Sequence, residues 1–360
     1  MEPQTDATAF EPHAHKPDGQ LSSMENAMSE DLGLLAQVHN IVIPPIPCSF
    51  HWRNHPDNRA LKEVSEAWLL ARFTNIPGAD GRPSSFAAEH LIKSAFYLLA
   101  TLSYPDGISE RMPQVMNMMC WIFVMDTVLD DSTELGADPE RADKLVESWW
   151  RAVCHQMPPK QKARLRKAVC DFLEASLTQV SLCMRLLLTL LWLIVSAANF
   201  QMWKPIFQSA QGFELDDEAL AHPLFLEFHK NWIQHISITN DVISFKKEYM
   251  EGDFFNIVSL LYFQKLYDPQ RNSEGPAPTL QDAILEAVEM IKERDSNCLR
   301  LMQQIRECKE LISTSGMEQY LVGASMWLSG SVYWHLRHSC YVKPRLELRT
   351  FSQRLKTSNQ

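Results

Sequence analysis

The sequence predicts an all-α protein, and two observations support this prediction. Glycine is scarce, with 12 residues in a chain of 360. Apolar residues recur at three- and four-residue intervals, and the sequence contains no strand-like alternation of useful length. Hydrophobic residues make up 46% of the chain and charged residues 22%, which is typical of a globular protein with material for a large core.

The chain is predicted to form one helical domain between two terminal segments. Residues 1–40 are rich in Glu, Asp, His, Pro and Ser, and we expect them to be disordered or loosely attached. Residues 41–47 are too rich in proline to be helical. Short linkers favour a single domain over residues 41–342, followed by a C-terminal tail over residues 343–360. Helices are expected at about 58–73, 85–103, 109–130, 139–157, 160–200, 224–250, 253–266, 278–313 and 316–342.

The composition excludes some classes of partner. A net charge of −10 argues against nucleic acid, because phosphate backbones require a basic surface. The eight cysteines lack C-x-x-C spacing, which favours free thiols in a reducing compartment. No signal peptide is visible, and the apolar stretch at residues 186–200 is too short to span a bilayer comfortably. We therefore expect a cytoplasmic protein without stable membrane insertion.

A polar face occurs near the end of the helix predicted over residues 224–250. Asn240, Ser244 and Glu248 are spaced four residues apart, and each step of four advances only about 40° around a helix axis. The three side chains therefore share one face. An amide carbonyl, a hydroxyl and a carboxylate form a hard-oxygen set that suits Mg²⁺, with phosphate oxygens completing its coordination. An exposed polar helix face is the alternative interpretation.

A second polar group, made of three aspartates, lies at the C-terminal end of an almost continuously apolar stretch that begins at residue 115. Asp126 and Asp130 face the same way on a helix, whereas Asp131 points about 100° away. Carboxylates at the end of a buried helix are costly unless a cation or a metal neutralises them. A solvated helix end is the alternative for this group alone. Together, the two polar groups predict a divalent metal site.

Both groups resemble the metal-binding motifs of the class I terpene synthases, most closely the microbial and fungal sesquiterpene cyclases. Residues 126–131 look like the aspartate-rich motif of that family, and residues 240–248 match its Asn/Ser/Glu motif, including the Lys before the last Glu. Residues 252–256 and 330–341 resemble later segments. The resemblance implies a single-domain helical bundle of the class I terpenoid synthase type, which encloses an apolar active-site cavity.

The resemblance also implies a cofactor and roles for particular residues. Three Mg²⁺ ions would bind the substrate diphosphate, two of them held by the aspartate-rich motif and one by the Asn/Ser/Glu motif. Metals and a lysine would stabilise the departing diphosphate, and aromatic faces in a dry pocket would stabilise the carbocation. For each aromatic residue, plain core packing is the alternative. The implied metal ligands are Asp126, Asp130, Asn240, Ser244 and Glu248; the implied diphosphate contacts are Lys247, Tyr341 and Arg185; the implied cavity wall is Phe96, Phe123 and Trp334.

Three positions depart from the family pattern. Thr127 replaces a second acid, and Cys340 replaces the Arg before the final Tyr. Ile194 occupies the position of an Arg that senses the diphosphate. Either the apolar stretch around Ile194 is genuine and Arg185 or another cation senses the diphosphate, or the stretch is an altered segment, such as translated intron. In the second case the polypeptide would be weakly active or inactive.

The resemblance predicts a Mg²⁺-dependent lyase that ionises a linear prenyl diphosphate, and the expected substrate is farnesyl diphosphate. The enzyme would cyclise it to a sesquiterpene and release diphosphate. One alternative is an inactive family member that binds diphosphate or a partner as a helical protein. A lesser alternative is a prenyl-chain-elongating transferase, although such enzymes carry two aspartate-rich motifs. A homodimer is compatible with each of these functions.

Overall fold

A computed structural model describes six ranges of the chain, and every regular element in those ranges is a helix. The predicted all-α class is therefore confirmed. The expected N-terminal segment up to residue 31 and the expected tail over residues 343–360 lie outside the described residues. The described ranges are 32–73, 88–120, 157–169, 203–251, 254–267 and 276–337.

The helices are labelled in chain order. Two of them are α5 (112–120) and α6 (159–169). The others are α1 (Leu32–Asn40), α2 (Asn58–Phe73), α3 (Ala88–Lys93), α4 (Phe96–Ser103), α7 (Trp203–Gln211), α8 (Asp217–Ala221), α9 (Pro223–Glu251), α10 (Ile257–Leu266), α11 (Leu280–Glu307), α12 (Lys309–Ile312) and α13 (Met317–Arg337).

Most predicted helices are confirmed where the structure describes them, but two are divided. The helix expected over 278–313 is interrupted at Cys308, which separates α11 from α12. The helix expected over 85–103 is broken into α3 and α4 by Ala95, whose φ of 47° lies in the left-handed region. An L-residue adopts that region at a cost of about 1–2 kcal/mol. The break turns the carbonyl of Ala95 towards α13, where it accepts a hydrogen bond of 3.2 Å from the indole N–H of Trp334.

The structure corrects the expected N-terminal boundary, because residues 32–40 form α1 rather than a loosely attached segment. Leu34 and Val38 are buried in a cluster with side chains of α9, α10 and α11. Gln37 adds a polar contact, since its side-chain oxygen accepts the backbone N–H of Leu280 at 2.9 Å. The apolar residues of α1 are too few to stand out as a periodic pattern in the sequence.

Helices α9 and α11 form the central antiparallel pair. Their direction follows from two contacts: Asn297 donates to Asn231 at 3.2 Å, and His235 lies 3.9 Å from Asp295. Pro223 begins α9. Proline is tolerated at the first position of a helix, because the N–H that it lacks would have no intrahelical acceptor there. The N-terminal half of α9 packs into one hydrophobic cluster with α4, α7 and α13, and its C-terminal half packs into another with α1 and α10.

Glycine allows α13 to approach α4 closely. A Cβ atom added at Gly330 would lie only 2.8 Å from the backbone oxygen of Leu102. Backbone atoms cannot swing away as a flexible side chain can, so the two helices would have to separate. Glycine at this position therefore sets the distance between α13 and α4.

We expect Gly330→Ala to lower the free energy of unfolding by about 1–3 kcal/mol, because overpacking at this contact outweighs the better helix propensity of alanine. Urea unfolding followed by circular dichroism measures the change. Leu336→Ala, at a side chain of the same helix that is 51% exposed, serves as a control and should change stability by less than about 0.5 kcal/mol. Equal or greater stability of Gly330→Ala would contradict the close contact.

Two buried histidines on α9 make stability depend on pH. Burial lowers the pKa of His229 well below its usual 6.5, with Lys204 adding to the effect. Burial also lowers the pKa of His235, although Asp295 and the carbonyl of Pro47 oppose the change. The unfolded chain therefore binds more protons than the folded chain as the pH falls through the unfolded value. Stability contributed by the neutral imidazoles is present above about pH 6.5 and is lost below it.

The expected slope is up to about 1.4 kcal/mol per pH unit for each histidine. Urea unfolding at pH values of about 7.5, 6.5 and 5.5 measures it. His229→Gln should flatten the slope, whereas Gln234→Ala, at a residue of the same helix that carries no titratable group, should leave it unchanged. Stability that does not change between these pH values would show that folding does not lower the pKa of the buried imidazoles.

Candidate functional site

The predicted oxygen face lies near the C-terminal end of α9. Asn240, Ser244 and Glu248 follow one another along this continuous helix, so their side chains project on the same side. Ser244 is fully buried, while Asn240 and Glu248 are partly exposed. The hydroxyl of Ser244 lies 3.5 Å from the carbonyl of Asp241, at the limit of a hydrogen bond. The face therefore begins and ends at side chains that reach solvent, with a buried hydroxyl between them.

Asn256 holds Glu248 in place at one end of the face. The side-chain amide of Asn256 donates to Glu248 Oε2 at 2.8 Å and to the carbonyl of Asp241 at 2.9 Å. Its side-chain oxygen accepts the N–H of Val258 at 2.9 Å and so caps α10. The side-chain carboxylate of Asp241 accepts the N–H of Ile257, the first residue of that helix, at 2.7 Å. The start of α10 is thereby fastened to the last turns of α9.

His335 contacts the other end of the face. Its Nε2 lies 3.0 Å from Nδ2 of Asn240, and its Nδ1 lies 2.8 Å from the carbonyl oxygen of Ser331 on the previous turn of α13. His335 is 3% exposed, so water has little access to this contact. The contact joins residues 95 positions apart in the chain, and it fixes α13 beside the oxygen face.

The lysines of the motif point in separate directions. Lys246 donates to the carbonyl of His39 at 3.2 Å, near the C-terminal end of α1, where a cation complements the helix dipole. Lys247, the predicted diphosphate contact, is partly exposed on α9 and directly precedes Glu248. Lys246 therefore serves the packing of α1, and Lys247 is the lysine beside the oxygen face.

Two of the three predicted cavity aromatics meet in the structure. Phe96 and Trp334 are buried with their ring centroids 6.0 Å apart. They form part of the larger hydrophobic cluster, where packing by itself accounts for their burial. Trp334 directly precedes His335 on α13, so the aromatic pair lies close along the chain to the contact with Asn240.

The remaining predicted site residues lie outside the described residues, and so do the positions that depart from the family pattern. The structure therefore leaves the aspartate-rich motif, the third cavity aromatic and the diphosphate contacts other than Lys247 as predictions. The residues concerned are Phe123, Asp126, Thr127, Asp130, Asp131, Arg185, Ile194, Cys340 and Tyr341.

Two other clusters bring His, Cys and acidic side chains within 4.8 Å of one another: Cys48, His235 and Asp295, and also His222, Cys308 and Glu310. The first cluster has a structural explanation. His235 Nε2 lies 3.2 Å from the carbonyl of Pro47, and Asp295 accepts the N–H of Ser49 at 3.0 Å. These contacts tie the non-helical residues 41–50 to the α9–α11 pair.

The sequence pointed to Asn256 and His335 only as members of two resembling segments, residues 252–256 and 330–341, and gave neither of them a role. Nothing in the local pattern distinguishes His335 from other histidines, because its partner lies on another helix. The one available signal for His335 was a polar residue near the C-terminal end of a largely apolar helix. Such a residue requires a hydrogen-bond partner and is often conspicuous for that reason.

Comparisons with known proteins identify the fold. The structure superimposes on germacradien-4-ol synthase from Streptomyces citricolor with a TM-score of 0.63 and 17% sequence identity, over 81% of this chain and 98% of that one. At this level of identity, the likeness establishes the fold alone. The protein has the class I terpenoid synthase fold.

Sequence comparisons identify the family. Residues 117–294 match the model of terpene synthase family 2, C-terminal metal binding. The microbial terpene synthase-like protein 13 of Selaginella moellendorffii is 24% identical over 85% of this chain and 90% of its own length. A 7-epi-alpha-eudesmol synthase of Streptomyces viridochromogenes, described as cyclising (2E,6E)-farnesyl diphosphate, is 24% identical over 67% of this chain and 77% of its own length. The matched region and these relatives are those of class I terpene synthases of the microbial type, and they support activity as a terpene cyclase.

The structure also bears on the membrane prediction. Among the described residues, none of the helices combines the length and the apolar character needed to cross a membrane.

We expect Asn256→Asp to destabilise the protein by about 1–3 kcal/mol, because a buried amide donor to Glu248 and Asp241 is lost while the capping oxygen for α10 is kept. Asn256→Ala loses the cap as well and should be less stable again. Urea unfolding measures both variants. Asn58→Asp, at the partly exposed first residue of α2, is the matched control and should change stability little. Wild-type stability of Asn256→Asp would show that the amide contacts contribute nothing.

Proposed function

We propose that this terpene cyclase ionises and cyclises farnesyl diphosphate in a Mg²⁺-dependent reaction, forms a sesquiterpene hydrocarbon or alcohol, and releases diphosphate. The observation that carries the proposal is the oxygen face of Asn240, Ser244 and Glu248 at the end of α9. The choice of substrate is supported by the Streptomyces viridochromogenes relative, whose name states that it cyclises farnesyl diphosphate.

The three residues fit a divalent cation by the chemistry of their donor atoms. All three offer oxygen, which hard cations such as Mg²⁺ prefer over nitrogen or sulfur. The amide nitrogen of Asn240 faces His335, which leaves its oxygen as the ligand atom. Glu248 is held by Asn256, and a ligand carboxylate is commonly oriented by such a partner. The match of residues 117–294 to a metal-binding family model supports the same interpretation.

The aspartate-rich motif is proposed to form the opposite wall of the site. Asp126 and Asp130 would hold two of three Mg²⁺ ions, and the face on α9 would hold the third. When bound, the ions supply positive charge that stabilises the departing diphosphate. Lys247, Tyr341 and Arg185 are proposed to contact the diphosphate, in a domain that extends from α1 to residue 342.

The protein's further task is to bind the prenyl chain and exclude water. Phe96, Phe123 and Trp334 are proposed to face the chain, because an aromatic face attracts a carbocation through its quadrupole. Burial of Phe96 and Trp334 is compatible with this role, since a dry surface protects the cation from premature capture by water. Ser244 is also buried, so its hydroxyl offers a ligand oxygen where little bulk water competes.

The test is incubation of the purified full-length chain with farnesyl or geranyl diphosphate and Mg²⁺, with volatile products analysed by mass spectrometry and diphosphate release measured in parallel. We expect a cyclic sesquiterpene from farnesyl diphosphate, and no product after chelation of the metal. Asn240→Ala and Asp126→Ala should each lower kcat/KM by at least about 100-fold, a loss of the size seen when one electrostatic contact to a transition state is removed.

Gln234→Ala is the matched control, because Gln234 lies on α9 away from the oxygen face and should tolerate the change. A well-folded protein that neither forms product nor releases diphosphate would contradict the proposed reaction and favour a diphosphate-binding role. Full activity in both Asn240→Ala and Asp126→Ala would contradict the metal ligands while leaving the cyclase reaction in place.

A further inference from the structure

The contact between Asn240 and His335 determines which atom each side chain presents. Nδ1 of His335 lies 2.8 Å from the backbone carbonyl of Ser331. A carbonyl oxygen can only accept, so Nδ1 carries the proton of the ring. In the neutral ring, Nε2 then has a lone pair and accepts. Its neighbour at 3.0 Å must be a donor, and Nδ2 is the donating atom of Asn240.

The opposite orientation of the Asn240 amide is disfavoured by the hydrogen-bond geometry. If the side-chain oxygen of Asn240 faced His335, it would lie against the lone pair of Nε2, because the ring proton is on Nδ1. Two acceptor atoms at this distance would repel each other. The hydrogen-bond network therefore assigns the amide of Asn240 one orientation, with its nitrogen towards α13 and its oxygen away from it.

We propose that His335 is a positioning residue, which orients Asn240 so that its side-chain oxygen faces the divalent cation. This inference rests on the proposed function, because it requires Asn240 to be a metal ligand. An asparagine amide is nearly symmetric in shape, and rotation by 180° exchanges an oxygen that binds Mg²⁺ for an NH₂ group that repels it. A fixed acceptor beside the nitrogen removes that alternative.

The structure gives His335 the rigidity that this role needs. Its ring is held at Nδ1 by the carbonyl of Ser331, and the Ser331 hydroxyl lies 3.3 Å from the same atom. The ring of Trp334 lies edge-on to it with centroids 4.8 Å apart. Residues that orient a metal ligand in this way typically contribute about 10- to 100-fold to metal affinity.

Two substitutions separate the two nitrogen positions of the ring. His335→Asn places an amide near the position of Nδ1, so that the bond to Ser331 is kept and the acceptor for Asn240 is lost. His335→Gln extends one atom further and can place a carbonyl oxygen near the position of Nε2, so that the acceptor for Asn240 is kept. If His335 only serves to bind Ser331, the His335→Asn variant should resemble the wild type more than the His335→Gln variant does. If His335 orients Asn240, the His335→Gln variant should resemble the wild type more in its metal affinity.

The experiment measures Mn²⁺ binding by electron paramagnetic resonance, on the full-length chain with inorganic diphosphate and without turnover. We expect His335→Asn to weaken the affected Mn²⁺ site by about 10- to 100-fold, and His335→Gln to bind within about threefold of the wild type. Thermal unfolding of each variant establishes that it is folded. Wild-type affinity in His335→Asn, or equal loss in the Asn and Gln variants, would overturn the inference.

A double variant tests whether His335 acts through Asn240. If it does, Asn240→Ala with His335→Asn should bind Mn²⁺ no more weakly than Asn240→Ala alone, because the side chain to be oriented is absent. A further loss of tenfold or more in the double variant would overturn the inference. Wild-type Mn²⁺ affinity in Asn240→Ala alone would instead contradict the metal ligand set of the proposed function, and so would remove the basis of the inference.

Discussion

The candidate site depends on the hydrogen bonds that fix the last turns of α9 between α10 and α13. A helix aligns residues four apart, but helix ends fray and bend by more than a metal site tolerates. Here, Asn256 joins α9 to the start of α10, and His335 joins α9 to α13. Both contacts are made by buried side chains, so they resist competition from water. The oxygen face is therefore held at both ends by tertiary structure rather than by helix propensity.

The same helix connects the two parts of the hydrophobic core. The first half of α9 packs with α4, α7 and α13, and the second half packs with α1 and α10, while α11 lies beside both. The non-helical residues 41–50 cross this pair and are fastened through Asp295 and His235. A change in the packing of either cluster is thus transmitted to the axis of α9. The stability of the fold and the geometry of the oxygen face therefore both depend on the packing of α9 against α11.

The features that depend on local periodicity could be predicted from the sequence. The features that depend on contacts between residues far apart in the chain could not. The common direction of Asn240, Ser244 and Glu248 follows from the helical repeat alone, so spacing was sufficient. The break at Ala95 carries no glycine or proline, and the carbonyl at the break accepts a hydrogen bond from Trp334, which is 239 residues away. Burial of α1 depends on surfaces formed by α9, α10 and α11. The partner of Asn240 is 95 residues away, and no spacing rule reaches that far.

Helix α13 connects the two tasks that a cyclase must coordinate. His335 on this helix faces Asn240, whereas the adjacent Trp334 packs on Phe96 and donates to Ala95. Neighbouring residues on a helix point about 100° apart, so one rigid element addresses both the oxygen face and the aromatic pair. Under the proposed function, diphosphate departure and cation stabilisation must occur at a fixed separation along the prenyl chain. A single helix that contacts both groups holds that separation constant, and the close approach at Gly330 keeps this helix against α4.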